Sequence, residues 1–98
     1  MSVANEILSV AVFVPLPGQE GTALATVREL SRTLTRSGYS RDTLYRGPEG
    51  EYVLVRYWKS DDARRAALDD AEAQRCWAKV AHEIRILKVY ESLDKVPL

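Results

Sequence analysis

The sequence predicts one α+β domain, in which strands and helices follow each other in the order β-α-β-β-α-β. Residues 7–14 and 51–59 are rich in β-branched and aromatic side chains, which favour strands. Two other segments place apolar residues at helical spacing, and glycines and prolines separate the segments. A chain of 98 residues has room for one hydrophobic core, so we expect residues 1–98 to form a single domain.

The first predicted strand, Ile7 to Val14, is apolar on both of its alternating faces except at Ser9. A strand of this kind is covered on both sides, so we expect it in the centre of a sheet. Pro15 ends it, because proline cannot donate a hydrogen bond to a neighbouring strand.

A turn at Pro17 and Gly18 leads into the first predicted helix. Glu20 stands near the start of this helix, where a carboxylate interacts favourably with the helix dipole. Gly38 supplies a stop just after the last turn. The apolar stripe between them is formed by Leu24, Val27, Leu34 and either Leu30 or Ser31.

The middle of the chain predicts a hairpin. Residues 39–45 form a weaker strand, whose polar side chains suggest the edge of a sheet. Residues 46–50 contain two glycines and a proline, which give the chain its reversal. Residues 51–59 have the strongest strand pattern in the protein.

The second predicted helix begins at Ser60, an N-cap residue that two acidic residues follow. We expect a break near Asp69 and Asp70, and residues 84–90 predict the last strand. Two β-α-β halves joined by a hairpin give four antiparallel strands with the helices on one face. The sequence therefore predicts a ferredoxin-like arrangement.

The composition argues against several classes of protein. Lys and Arg number 14, as do Asp and Glu, so no basic excess points to nucleic acid or to an anionic membrane. Residues 1–6 lack the basic segment of a secretory signal, and no apolar run approaches the roughly 20 residues of a membrane span. Cys76 is the only cysteine, so no internal disulfide forms and we expect a cytoplasmic protein.

Two short motifs resemble the antibiotic biosynthesis monooxygenase family. Residues 17–20 (PGQE) are similar to the opening of that family's first helix, and residues 57–63 (YWKSDDA) resemble its junction between third strand and second helix. The resemblance implies a dimeric α+β barrel, a homodimer in which the helix-free sheet faces meet across a two-fold axis. It also implies a ligand cavity between the helices and the sheet of each subunit, lined by Trp58.

The sequence departs from this family at two positions. The cofactor-free monooxygenases of the family place an asparagine four residues before the tryptophan, where this chain has Leu54. Many relatives carry a histidine about nine residues after the tryptophan, where this chain has Ala67. The resemblance therefore implies the fold, whereas the family's catalytic residues do not carry over.

The third predicted strand presents two different faces to its surroundings. One carries Val53, Val55 and Tyr57, and the other carries Tyr52, Leu54, Arg56 and Trp58. Neither face is polar enough to be left in water. We therefore expect one face to pack on the helices and the other to pack on a second copy of the chain.

The even-numbered face supplies the candidate ligand site. Trp58 and Tyr52, with Leu54 beside them, are candidate walls for a small aromatic ligand, and Arg56 is a candidate partner for a phenolate or enolate. Two alternatives stay open. Trp58 also suits a place in the core, and Arg56 is a snorkelling surface residue if this face does not line the cavity.

His82 is the only histidine, so it is a candidate general base or haem ligand. It also falls in the connector before the last strand, where an exposed residue is ordinary. Cys76 is expected to be a buried, unreactive thiol. One histidine and one cysteine do not build a conventional zinc site, and the sequence predicts no metal or other cofactor.

Three hypotheses about function follow. The first is a cofactor-independent monooxygenase of a small phenol or quinol, in which the substrate's own carbanion reduces oxygen. The second is a non-enzymatic ligand-binding or dimerisation module of the same fold, which the missing asparagine and histidine favour. The third is a haem-binding relative.

Overall fold

A computed structural model of the chain describes residues 7–98, which form one four-stranded antiparallel sheet and three helices. The strands are β1 (Ile7–Pro15), β2 (Ser40–Arg46), β3 (Tyr52–Trp58) and β4 (Ile84–Leu93), and the helices are α1 (Glu20–Arg36), α2 (Asp61–Leu68) and α3 (Ala71–Val80). The ferredoxin-like α+β arrangement is confirmed. Residues 1–6, on which part of the expectation about a secretory signal rests, lie outside the described residues.

The strands lie in the order β2-β3-β1-β4, so β1 and β3 are central and the other two are edges. The expected central position of β1 and edge position of β2 are therefore confirmed. Ser9 of β1 and Asp42 of β2 both lie opposite Arg56 of β3. Since paired residues share a face, the side chains of these three residues form one row across the sheet.

The second helical segment consists of two helices, with the break where the sequence predicts it. Ser60 caps α2, because its Oγ accepts a hydrogen bond from the N–H of Ala63 at 3.0 Å. Asp70 caps α3, because its Oδ1 accepts from the N–H groups of Glu72 and Ala73 at 2.9 and 3.0 Å. Both hydrogen bonds lower the pKa of the Asp70 carboxyl, and the bond from Ala73 has the larger effect.

All three helices contribute side chains to the same face of the sheet. In one core cluster Trp58 packs with residues that include Leu34 of α1, Ala67 of α2 and Cys76 of α3. A second cluster joins two stacked rings of the sheet to one valine from α1 and one from α3, and it consists of Phe13, Tyr52, Val27 and Val80. The even-numbered residues of β3 therefore face the helices.

The opposite face of the sheet is apolar and only half-buried. Val12, Val53, Val55 and Tyr57 lie on it, and none of them belongs to either core cluster of the described residues. A single chain thus leaves one apolar sheet face without helices. Among residues 7–98, no helix is long and apolar enough to span a membrane.

Candidate ligand-binding site

A cavity of about 320 Å³ lies between the helices and the sheet. Its floor comes from β1, β3 and β4, and the helices cover it. Three aromatic side chains stand in its wall, Phe13, Trp58 and Trp77, and Leu54 is among the aliphatic ones. This size and this mostly apolar lining are typical of small-molecule sites.

Few polar groups reach the cavity. Apart from the indole nitrogens, the polar side chains in its lining, among the residues that the structure describes, are those of Ser9, Arg56, Arg64 and Glu91. Arg56 is buried, so it acts in surroundings of low polarity, where hydrogen bonds and charges interact more strongly than in water, whereas Glu91 is exposed to solvent. The few polar groups therefore decide how a ligand is oriented.

Trp58 is held in place by a chain of hydrogen bonds. Its Nε1 donates to Ser9 Oγ at 2.7 Å, and Ser9 Oγ donates to the backbone carbonyl of Glu91 at 2.6 Å. Ser9 occupies a register shift between β1 and β4, which brings its hydroxyl to that carbonyl. Trp58 both packs in the core and lines the cavity, and its contact with an aromatic ligand stays a prediction.

Arg56 lies on the cavity face of β3 and is buried. Its Nε and Nη2 donate to the two carboxylate oxygens of Asp42 at 2.9 and 2.8 Å, and Ser31 Oγ donates to the same carboxylate at 2.5 Å. Asp42 therefore compensates the positive charge of Arg56. The fork to Asp42 does not use Nη1, so Arg56 can offer a ligand a hydrogen-bond donor rather than a net charge.

Tyr52 is buried on the same face of β3 but does not line the cavity. Its Oη donates to a carboxylate oxygen of Glu20 and accepts from Arg46 Nη2 at 3.0 Å. His82 is exposed in the turn between α3 and β4 and also lies outside the cavity lining. The structure thus brings Leu54, Arg56 and Trp58 together and leaves Tyr52 and His82 apart from them.

Cys76 is buried in the core cluster of Trp58 and does not line the cavity. Burial, followed by the nearby charge of Glu29, raises the pKa of its thiol above the ordinary value of 9.0. Within residues 7–98, no three His, Cys, Asp or Glu side chains are placed to hold a metal ion together.

Among the polar residues at the site, the sequence interpretation missed Ser9, Asp42, Arg64 and Glu91. Ser9 carried a signal, since it is the one polar residue of an apolar strand. Asp42 could have been found by pairing the two strands of the hairpin, which places it opposite Arg56. Arg64 gave no signal, because its approach to the cavity depends on the direction in which α2 leaves β3.

The family model described as antibiotic biosynthesis monooxygenase matches residues 7–79 of the chain. No curated protein matches the chain. Among solved structures, it is similar to SnoaB, a cofactor-independent oxygenase from Streptomyces nogalater, with 19% identity, a TM-score of 0.77 and coverage of 97% of this chain and 100% of that one.

Two further structures resemble the chain. Rv0793 from Mycobacterium tuberculosis is 18% identical, with a TM-score of 0.73 and coverage of 94% of this chain and 99% of that one. Protein SO0527 from Shewanella oneidensis is 17% identical, with a TM-score of 0.75 and coverage of 94% and 92%. At these identities the likeness shows a shared fold.

Proposed function

Since the chain belongs to the antibiotic biosynthesis monooxygenase family, we propose that it is a cofactor-independent monooxygenase of small phenols or quinols. The observation that carries this proposal is the apolar cavity of about 320 Å³ between helices and sheet, with aromatic walls and few polar groups. A flat, electron-rich ring fits such walls by stacking and by burial of its apolar surface.

The reaction needs only the substrate and molecular oxygen. A phenol that can tautomerise loses a proton from its reactive CH₂ carbon, and the resulting carbanion transfers an electron to O₂. Recombination forms a carbon–oxygen bond, and the peroxide then loses water. The CH₂ group thus becomes a carbonyl, one oxygen atom enters the product and the other leaves as water.

The chain's residues would bind and orient this substrate. Trp58 and Phe13 would stack on the ring, Leu54 would fill the space beside it, and Arg56 Nη1 would donate to the ring oxygen. The cavity lining contains no histidine among the described residues, so the substrate's proton would leave to the carboxylate of Glu91 or to water at the cavity mouth. His82 remains a candidate only for accepting a proton at the surface.

Oxygen consumption with anthrone tests the proposal. We expect turnover above the uncatalysed rate, and we expect Trp58→Phe, which keeps an aromatic ring but removes the indole N–H, to lower kcat/KM by roughly tenfold through the altered wall. Tyr45→Phe is the matched control, because Tyr45 is an exposed ring on β2. Oxygen uptake no faster than in buffer, for anthrone and for simple naphthoquinols, would rule out the monooxygenase.

The second candidate function is a non-enzymatic ligand-binding module. Leu54 and Ala67 favour it, since they stand where many family members carry asparagine and histidine. Retained binding of an aromatic ligand together with the absence of oxygen uptake would support this function instead.

We also propose that the protein is a cytoplasmic homodimer, joined through the helix-free face of the sheet. The free thiol of Cys76 supports a reducing compartment. The half-buried Val53, Val55 and Tyr57 support the dimer, since a second copy would remove their apolar surface from water.

Light scattering with Val55→Asp tests the dimer. A charge at a dry interface costs several kcal/mol, so we expect this variant to be monomeric or aggregated while the native chain is dimeric. Thr35→Asp, an exposed change on α1, should leave the dimer intact. A native chain that stays monomeric at micromolar concentration would refute the proposal.

A further inference from the structure

Two arginines line the cavity, and their charges are balanced to different degrees. Arg56 has a carboxylate of its own, since Asp42 binds it with both oxygens and the two side chains are only 7% and 5% exposed. A bidentate pair in this setting leaves no net charge for a ligand. The remaining arginine of the lining, Arg64, does not have such a partner to itself.

Arg64 shares its carboxylate with a neighbouring arginine. Its Nε and Nη2 both donate to Oδ1 of Asp61, at 3.2 and 3.0 Å, whereas Oδ2 of Asp61 is bound by Nε of Arg65 at 2.8 Å. Two guanidinium groups on one carboxylate leave one positive charge in excess. Since Arg64 is 24% exposed and Arg65 is 72% exposed, the less hydrated of the two cations is the one at the cavity.

The one acidic residue that residues 7–98 contribute to the cavity lining stands on a different element. Glu91 belongs to β4 and is exposed to solvent, whereas Arg64 belongs to α2. An anionic group on a ligand is repelled by Glu91 and attracted by Arg64, so its favourable place is at the α2 side of the cavity. The apolar walls then receive the rest of the molecule.

We infer that Arg64 is the anion-binding residue of this cavity and that its ligands are flat aromatic molecules with one carboxylate on the α2 side. A guanidinium presents two parallel N–H groups, which match the two oxygens of a carboxylate. This inference rests on the proposed function in one respect, namely that the cavity binds aromatic small molecules.

The test compares two ligands of the same shape, 2-naphthoate and 2-naphthamide, by calorimetric titration. We expect Arg64→Gln to weaken the binding of 2-naphthoate by roughly tenfold or more, which is the usual loss for a hydrogen bond to a charged group, and to leave 2-naphthamide within about twofold. Arg64→Lys, which keeps the charge, should recover part of the loss. Arg75→Gln is the matched control, since Arg75 is a 67% exposed arginine of α3 that binds Glu72 and does not line the cavity.

The other outcomes separate the failure of this inference from that of the proposed function. Equal losses for both ligands in Arg64→Gln, or equal losses for 2-naphthoate in Arg64→Gln and Arg75→Gln, would overturn the role of Arg64 and leave the cavity as a ligand site. Failure of the native protein to bind either compound would overturn this inference alone, because oxygen uptake with anthrone tests the proposed function separately. Circular dichroism of each variant establishes that it is folded.

Discussion

The two edge strands of the sheet differ in how their side chains are covered. On β2, the inward-facing Asp42 is buried in an ion pair, and α1 packs against the strand. On β4, Ile86 and Val89 are each 51% exposed although they are apolar. The polar edge is therefore closed by groups of the same chain, whereas the apolar edge is open.

This difference indicates which part of the molecule is complete on its own. At the β2 side, the buried charges of Asp42 and Arg56 neutralise each other, so the stability of this side depends on both residues being present. Ile86 and Val89 line the cavity, and removing their apolar surface from water requires a ligand or a second copy of the chain. The β2 edge is thus stabilised within the chain, whereas the β4 edge leaves apolar surface that binding can cover.

Breaking the pair at the β2 side should have the largest effect on stability. Arg56→Met leaves the carboxylate of Asp42 buried without its partner, and we expect the free energy of unfolding to fall by about 3–5 kcal/mol in urea denaturation. The double variant Asp42→Leu with Arg56→Met should regain most of this loss, because it removes both charges. A single variant as stable as the native chain would show that the β2 edge is not held by this pair.

A smaller effect is expected where β1 meets β4. Ser9→Ala removes the acceptor of the Trp58 N–H and one polar link to β4, so we expect a loss of about 1 kcal/mol and a shift in tryptophan fluorescence. Ser92→Ala, at an exposed position of β4, is the control and should stay within about 0.5 kcal/mol of the native chain. Unchanged fluorescence in Ser9→Ala would contradict the hydrogen-bond chain.

The smallest effect concerns the pH dependence of stability and tests how well the core cluster around Trp58 excludes water from Cys76. Because burial raises the pKa of Cys76 above 9.0, the unfolded chain loses this proton at a lower pH than the folded chain does. The contribution of the thiol to stability is therefore complete below pH 9.0 and is lost as the pH rises towards the folded-state pKa. Cys76→Ala should show a shallower fall in stability over this range, and identical slopes would mean that the thiol meets water.

Much of the fold could be predicted because its signals are local. The break at Asp69 and Asp70 follows from the sequence pattern, and Asp70 indeed caps α3. The end of β4 could not be predicted. The apolar pattern stops at Tyr90, yet the strand continues to Leu93, because backbone pairing with β1 does not require apolar side chains.

The candidate site could be predicted only in part. Alternation along β3 placed Leu54, Arg56 and Trp58 on one face, and these three residues do line the cavity. Alternation does not say how far along the strand a cavity extends, so Tyr52 was grouped with them although it lies in a separate hydrogen-bond network. The pairing of Arg56 with Asp42 depends on the register of β2 and β3, and the place of Arg64 depends on helix direction.

The position of β1 between β3 and β4 has a consequence for protein synthesis. The hairpin of β2 and β3 and the pairing of β3 with β1 can form while the chain is still being translated. The outer edge of β1 stays unpaired until Ile84–Leu93 has left the ribosome, although β1 emerges before every other strand. An apolar strand with a free edge is prone to pair with other chains. A nascent chain stalled before Ile84 is therefore the form of this protein that most needs a chaperone.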